Sequence, residues 1–423
     1  MNIMKTLSYR LNTLLALLLT LIVYSDVAAK TFDIQRLENT VSRDTEYQHQ
    51  SSVLKQARRF MISLPERYYA SDRRYPTLYV IDADFQFQHV SSVTKHLARM
   101  GKIPPMIVVG IANQGDDDYL FTTTWKVEGD KAFGGAELFQ QYLVNELVPL
   151  IDTEFKSNNQ KALAGYSLGG LFTLYSMMQE HSPFNAYLAM SPSAWFDDYS
   201  VSSKIALKLQ QNKLTAPVFL SVAREEDMGV DKLATVFESS AKESLQWQFK
   251  HYPTENHFTT ALPALNDALQ FLAPNYATDG TDMVEIGDYN AVIKHFQGLQ
   301  QQWGGFQFEW LHAYQFAKYL FWSKQVTKVD EILAAIKQHF PESLTIVSIE
   351  VAKGLLIKGD NQHAKTILEN VKLEGEQSPN WHKQLSLYYK AEGDEKRAQQ
   401  HFEKALALAD KYQLESWEVW ELK

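Results

Sequence analysis

Between residues 58 and 275, short apolar runs alternate with stretches whose apolar residues recur at helical spacing. Arg59–Leu64 (RFMISL) reads as the first strand. Pro76–Asp82 (PTLYVID) and Pro105–Ile111 (PMIVVGI) follow, then Ala162–Ala164, Ala186–Met190 (AYLAM), Pro217–Val222 (PVFLSV) and Trp247–His251 (WQFKH). A run that is apolar at consecutive positions is buried on both faces. Such strands need helices above and below them, which predicts an α/β fold with a mostly parallel sheet. The intervening stretch 136–155 supplies one such helix, with Leu138, Phe139, Tyr142, Leu143, Leu147, Leu150 and Ile151 on one broad stripe.

The pattern stops at residues 274–288 (PNYATDGTDMVEIGD), where Pro, Gly and Asp read as a linker. A chain of 423 residues exceeds one typical core. The expected division is therefore a catalytic domain over 30–275, a linker over 276–288 and an all-α helical-hairpin domain over 289–423. In that last part Gly359, Ala364, Leu368 and Val371 recur at the offsets of Gly393, Ala398, Phe402 and Ala405. A weaker upstream copy includes Leu333, Ile336 and Pro341, and Trp381, Leu385 and Tyr389 take first-helix positions. The spacing resembles tetratricopeptide repeats, in which small residues let paired helices approach closely. The resemblance implies a module for a protein partner or for self-association.

The first residues carry a separate signal. Lys5 and Arg10 precede an uncharged apolar run, Leu14–Val23, and Val27 and Ala29 sit where a small-residue cleavage site requires them. Residues 1–29 therefore read as a secretory signal peptide, since the run is well short of the roughly 20 residues that span a bilayer. With no cysteine in the chain, disulfides, thiol nucleophiles and cysteine metal sites are excluded. Export without disulfides points to a periplasmic or secreted protein of a bacterial envelope. A formal charge of −9 argues against nucleic acid as a partner.

The chemistry centres on Gly165-Tyr166-Ser167-Leu168-Gly169-Gly170, which follows the strand run KALA and precedes a helical pattern, LFTLYSMM. A serine on a tight strand-to-helix turn projects its hydroxyl above the sheet, and glycines on either side keep the turn uncrowded. The Leu168 amide then points at a developing oxyanion. Of twelve histidines, His257 follows the last strand run and the turn YPTEN, where a base should lie. The acid belongs after PVFLSV, where Glu225, Glu226 and Asp227 are adjacent and the pattern alone does not choose among them. A second oxyanion amide is expected at Asp84 or Phe85, after PTLYVI, and Trp195 is a candidate pocket wall. No H-E-x-x-H or paired histidines at ligand spacing occur, so neither metal nor cofactor is expected.

Together YPTLYVIDAD, MIVVGIAN, AGYSLGGLFTLY, MSPSAWF, PVFLSVAREED and ENHFTTALPAL resemble the putative-esterase branch of the α/β-hydrolase superfamily, across roughly residues 35–273. That branch includes siderophore esterases, feruloyl esterases and S-formylglutathione hydrolases. The resemblance implies a serine esterase acting on a small-molecule ester, with Ser167 as nucleophile and His257 as base. It also implies the acid. The family's G-x-x-E segment aligns its glycine with Ala223 and its acid with Glu226. The chain departs from the family in that alanine and in lacking the arginine found after VGI, where it reads Gln114-Gly115-Asp116-Asp117-Asp118-Tyr119. Anionic catecholate substrates would call for basic pocket residues, and none stands out. An exported serine peptidase and a catalytically silent binding protein of the same fold are the alternatives.

Overall fold

The computed structural model describes residues 44–423; the signal segment and its cleavage site lie outside the described residues. Eight strands form one sheet: β1 (Thr45–Ser51), β2 (Gln56–Ser63), β3 (Tyr75–Ile81), β4 (Ile107–Ile111), β5 (Ser157–Tyr166), β6 (Ala186–Met190), β7 (Val218–Ala223) and β8 (Trp247–Tyr252). Their spatial order is 1-2-4-3-5-6-7-8. The first two pairings, β1 with β2 and β2 with β4, are antiparallel and all the others parallel. This is the mostly parallel α/β sheet that the apolar runs predict, and the α/β-hydrolase fold that the resemblance implies. Strand β1 was not anticipated. Its residues (TEYQHQS) are mostly exposed at the sheet edge, so no buried face marks them in sequence.

Alternate residues of the central strands enter two different cores, as a period of two requires. Leu78, Val80, Val108, Ala162 and Ala164 face one side; Tyr79, Ile81, Ile107, Val109 and Leu163 face the other. The second side is covered by α3 (Ala136–Tyr142), α5 (Leu168–Met177), α6 (Phe196–Gln210) and α7 (Val230–Ser240). A π turn at Leu143–Leu147 joins α3 to α4 (Val148–Glu154), which accounts for the long apolar stripe. The remaining helix of this layer, α2 (Asp116–Thr123), follows β4.

The first side is covered by α1 (Ala83–Arg99) and α8 (Ala261–Leu272). Its apolar core does not end there. It continues through Tyr276, Phe296, Phe306 and Phe316 into the helices beyond residue 288. Residues 276–288, expected as a linker, contain α9 (Gly280–Ile286), closed by a capping box between Asp279 and Asp282, and Tyr276 is 1% exposed. The Pro, Gly and Asp that suggested a linker are here turn and cap residues.

After α10 (Tyr289–Leu299), α11 (Trp310–Trp322) and α12 (Val329–His339), two helix pairs follow. Helix α13 (Leu344–Ile357) packs on α14 (Asn361–Asn370), and, past the short α15 (Lys372–Gly375), α16 (Pro379–Ala391) packs on α17 (Glu395–Lys411). Gly359 and Gly393 turn each pair with left-handed φ of 82° and 78°, which explains their recurrence. The last helix, α18 (Ser416–Leu422), returns to the loop after β2. There Arg67 Nε donates to the buried Glu418 at 2.5 Å, and Trp417 lies between Trp310 and the Arg99 guanidinium. At the other end of the tail, Arg73 pairs with Glu309 and His312 packs on Gly101. Among the described residues no helix is long and apolar enough to cross a membrane.

Candidate active site

Because β3 to β8 are parallel, their C-terminal ends and the segments that follow share one edge of the sheet. Ser167 leaves β5 with φ 57° and ψ −120°, a region that side chains rarely occupy, and α5 begins at the next residue. The turn is tight enough to dictate its neighbours. A Cβ on Gly165 would lie 2.0 Å from the Gly169 carbonyl oxygen, and one on Gly170 would lie 3.0 Å from Pro192 Cα.

His257, in the segment after β8, places Nε2 3.2 Å from Ser167 Oγ. Its Nδ1 is 3.2 Å from Glu225 Oε1. With the proton on Nδ1, facing the carboxylate, the serine hydroxyl donates to Nε2; this tautomer is assigned from the network. The Glu225 contact is one of charge and proximity, since neither of its oxygens meets hydrogen-bond geometry. Such bonds often tighten only when substrate binds. Ser193 Oγ lies 3.3 Å from Ser167 Oγ and can donate to it, and the Ser193 amide donates to the Ser167 carbonyl at 3.0 Å. The Tyr166 ring packs beside the imidazole, with centroids 5.1 Å apart.

The acid is where the structure departs from the aligned expectation. Glu226 is exposed, whereas the Glu225 side chain is 7% exposed and faces His257. The chain turns immediately after β7. The Glu225 amide donates to the Ala223 carbonyl at 2.9 Å, and the Arg224 amide donates to the Glu255 carbonyl at 3.1 Å, two residues before His257. This turn aims the second residue after Ala223 inward, not the third. Asp227, with a left-handed φ of 60°, is also exposed. We expect Glu225→Gln to lower kcat on the order of 10³- to 10⁴-fold, as loss of a triad acid does, and Glu226→Gln to stay within about threefold. Steady-state kinetics of the two variants on one ester checks this, and the reverse ranking would restore Glu226.

Leu168 is the first residue of α5, so its N–H has no intrahelical acceptor. Of the two expected loop amides, that of Phe85 donates to the Asp82 carbonyl at 3.2 Å and is engaged. Asp84, in the first turn of α1, is the one of the pair left without an intrahelical acceptor, and its side chain pairs with Arg59. Trp195 stands two residues after Ser193 and is 45% exposed.

Sequence reasoning missed Tyr119. From α2 its hydroxyl donates to the Tyr166 carbonyl at 3.1 Å and accepts the Gly169 amide at 2.9 Å, bridging the two sides of the strained serine. Burial pushes its hydroxyl pKa up, so it stays a donor at neutral pH. The neighbouring Asp118 holds the helix in place through both oxygens to the fully buried Arg58, at 2.9 and 2.8 Å. Only the tertiary packing of α2 against the turn reveals this brace.

The family model described as Putative esterase matches residues 51–269, slightly more than half of the chain. The chain belongs to that family. It is an ester hydrolase by that membership. The ferri-bacillibactin esterase BesA of Bacillus subtilis (strain 168) is 23% identical over 230 residues, covering 47% of this chain and 78% of that protein. Among solved structures, an IroE-like serine hydrolase from Shewanella oneidensis is 25% identical with a TM-score of 0.60, over 70% of this chain and 99% of that one. An uncharacterised protein from Capnocytophaga ochracea DSM 7271 shares the fold at 17% identity and a TM-score of 0.56, over 86% of this chain and 94% of that one. Coverage of 86% extends the likeness of fold into the helices after residue 288.

Proposed function

We propose that this esterase is a serine hydrolase that cleaves carboxylic esters through an acyl-enzyme intermediate. The observation that carries the reading is Ser167 Oγ on a strained strand-to-helix turn, 3.2 Å from His257 Nε2, with Glu225 3.2 Å from the other ring nitrogen. Ser167 attacks the acyl carbon as its proton passes to His257. Glu225 orients the imidazole and stabilises its cation. The Leu168 amide, with a second amide at Asp84, receives the oxyanion. His257 then protonates the leaving alcohol, and water releases the acid by the same route. Residues 1–29 would export the enzyme, and the helices from 289 onward would serve a protein partner or self-association.

Ferri-bacillibactin belongs in the first substrate screen, because BesA is a ferri-bacillibactin esterase. The test is turnover of p-nitrophenyl butyrate together with covalent labelling by a fluorophosphonate. The reading expects both. A folded protein that shows neither is not a serine esterase.

A further inference from the structure

The segments at the catalytic edge share two properties that the triad does not use. The first is exposed aromatic surface. Phe258 and Phe85 are 92% and 82% exposed, the two most exposed aromatic side chains among the described residues. Phe258 directly follows His257, and Phe85 follows the expected oxyanion residue Asp84. Trp195, 45% exposed, joins them from the segment whose Ser193 touches Ser167. Single exposed apolar residues need no explanation, but these three stand on three different strand-end segments around one nucleophile.

The second property is charge. The segments 82–84, 112–118, 191–198, 224–229 and 253–260 hold eleven carboxylates and one Lys or Arg, Arg224. Cations from elsewhere neutralise three of them: Arg58 pairs with Asp118, Arg59 with Asp84 and Lys204 with Asp197. The neighbouring loop 124–135, tied to Asp197 by Trp125 Nε1 at 2.7 Å, has two lysines and two acids and adds no net charge. The crowding reaches Asp82, whose carboxyl pKa is raised by burial first and then by the Asp84 and Asp116 carboxylates, against a hydrogen bond from Asn113.

We propose that the site selects esters with a bulky apolar body that is uncharged or cationic and discriminates against anionic ones, through the aromatic rim of Phe85, Trp195 and Phe258 and the acidic segments behind it. The proposal rests on the esterase reading above. Apolar rings exposed beside a nucleophile gain by covering the apolar part of a substrate, and uncompensated carboxylates repel an approaching anion while leaving neutral and cationic substrates free to enter.

The experiment compares kcat/KM for four p-nitrophenyl esters, each corrected for its alkaline hydrolysis rate: acetate, hexanoate, hemiglutarate and 4-(trimethylammonio)butanoate. Hexanoate should exceed acetate by about tenfold or more. Hemiglutarate should fall about tenfold below hexanoate, and the cationic ester should stay within about threefold of it. Raising the salt to about 0.5 M should recover part of the hemiglutarate deficit, since solvent-exposed charges are screened. Phe258→Ala should lower the hexanoate-to-acetate ratio, and Asp227→Asn with Asp117→Asn should raise the hemiglutarate-to-hexanoate ratio. Equal turnover of hemiglutarate and hexanoate, or a flat response from acetate to hexanoate, would overturn the proposal and leave the esterase reading standing. A protein that hydrolyses none of the four and resists a fluorophosphonate would overturn both.

Discussion

Ser167→Ala should reduce ester turnover on the order of a millionfold and abolish fluorophosphonate labelling, leaving only what the oxyanion amides and substrate binding supply. The loss should fall on kcat, because the hydroxyl forms its bond to the acyl carbon only as the reaction proceeds. Circular dichroism should be unchanged, since Ser193 keeps its backbone bonds to Ser167 and Phe196, and His257 keeps its contacts with Glu225 and the Tyr166 ring. Ser167→Gly separates the chemistry from the strain. At φ 57° and ψ −120° the serine occupies a region that costs about 1–3 kcal/mol for a residue with a Cβ, and glycine avoids that cost. The glycine variant should therefore be as inactive as the alanine variant but unfold at a higher temperature. Either variant turning over at the native rate would remove Ser167 from the mechanism.

Truncation after residue 275 should leave an insoluble protein. Tail and hydrolase share one apolar core, in which Tyr276, Phe296 and Phe306 continue the layer begun by Val90, Leu97, Leu265 and Leu269. A fully buried large apolar side chain is worth about 1.5–3 kcal/mol. Losing the partners of even a handful approaches the roughly 5–15 kcal/mol of net stability that a protein has. The Arg67–Glu418 and Arg73–Glu309 ion pairs would also be broken. The expected readout is aggregation on expression, with soluble full-length chain as the control. If the truncated chain were monomeric and kept its turnover on a small ester, the tail would be a detachable module, as the turn-rich 276–288 suggests in sequence.

Seven of the eight strands and the strand–Gly165-Tyr166-Ser167–helix turn were legible because each is a local pattern. Consecutive apolar residues can be satisfied only by burial on two faces, and glycines two residues either side of a serine, between a strand and a helix, mark a turn too crowded for side chains at those positions. Strand β1 was not legible, since an edge strand with exposed residues owes its existence to its partner, β2. His257 could be located by chain order, because it follows the last strand of a parallel sheet. The two helix pairs of the tail were visible through their recurring small residues and the turn glycines Gly359 and Gly393.

The choice among Glu225, Glu226 and Asp227 was open in sequence for a physical reason. Three adjacent carboxylates differ only in where the chain turns, and that is decided by the Arg224–Glu255 hydrogen bond between two segments 31 positions apart. The same holds for Tyr119, whose partners Tyr166 and Gly169 lie about fifty residues away, and for the tail, whose apolar helices could as well have packed only on one another. Sequence by itself determined the layers, the strand-to-helix turn at Ser167 and the chain order of Ser167, the acidic run and His257, because backbone periodicity and local sterics act within a few residues. Which carboxylate meets the imidazole, what braces the serine and where the tail is buried were decided only by tertiary structure, because those depend on side chains that meet across the fold.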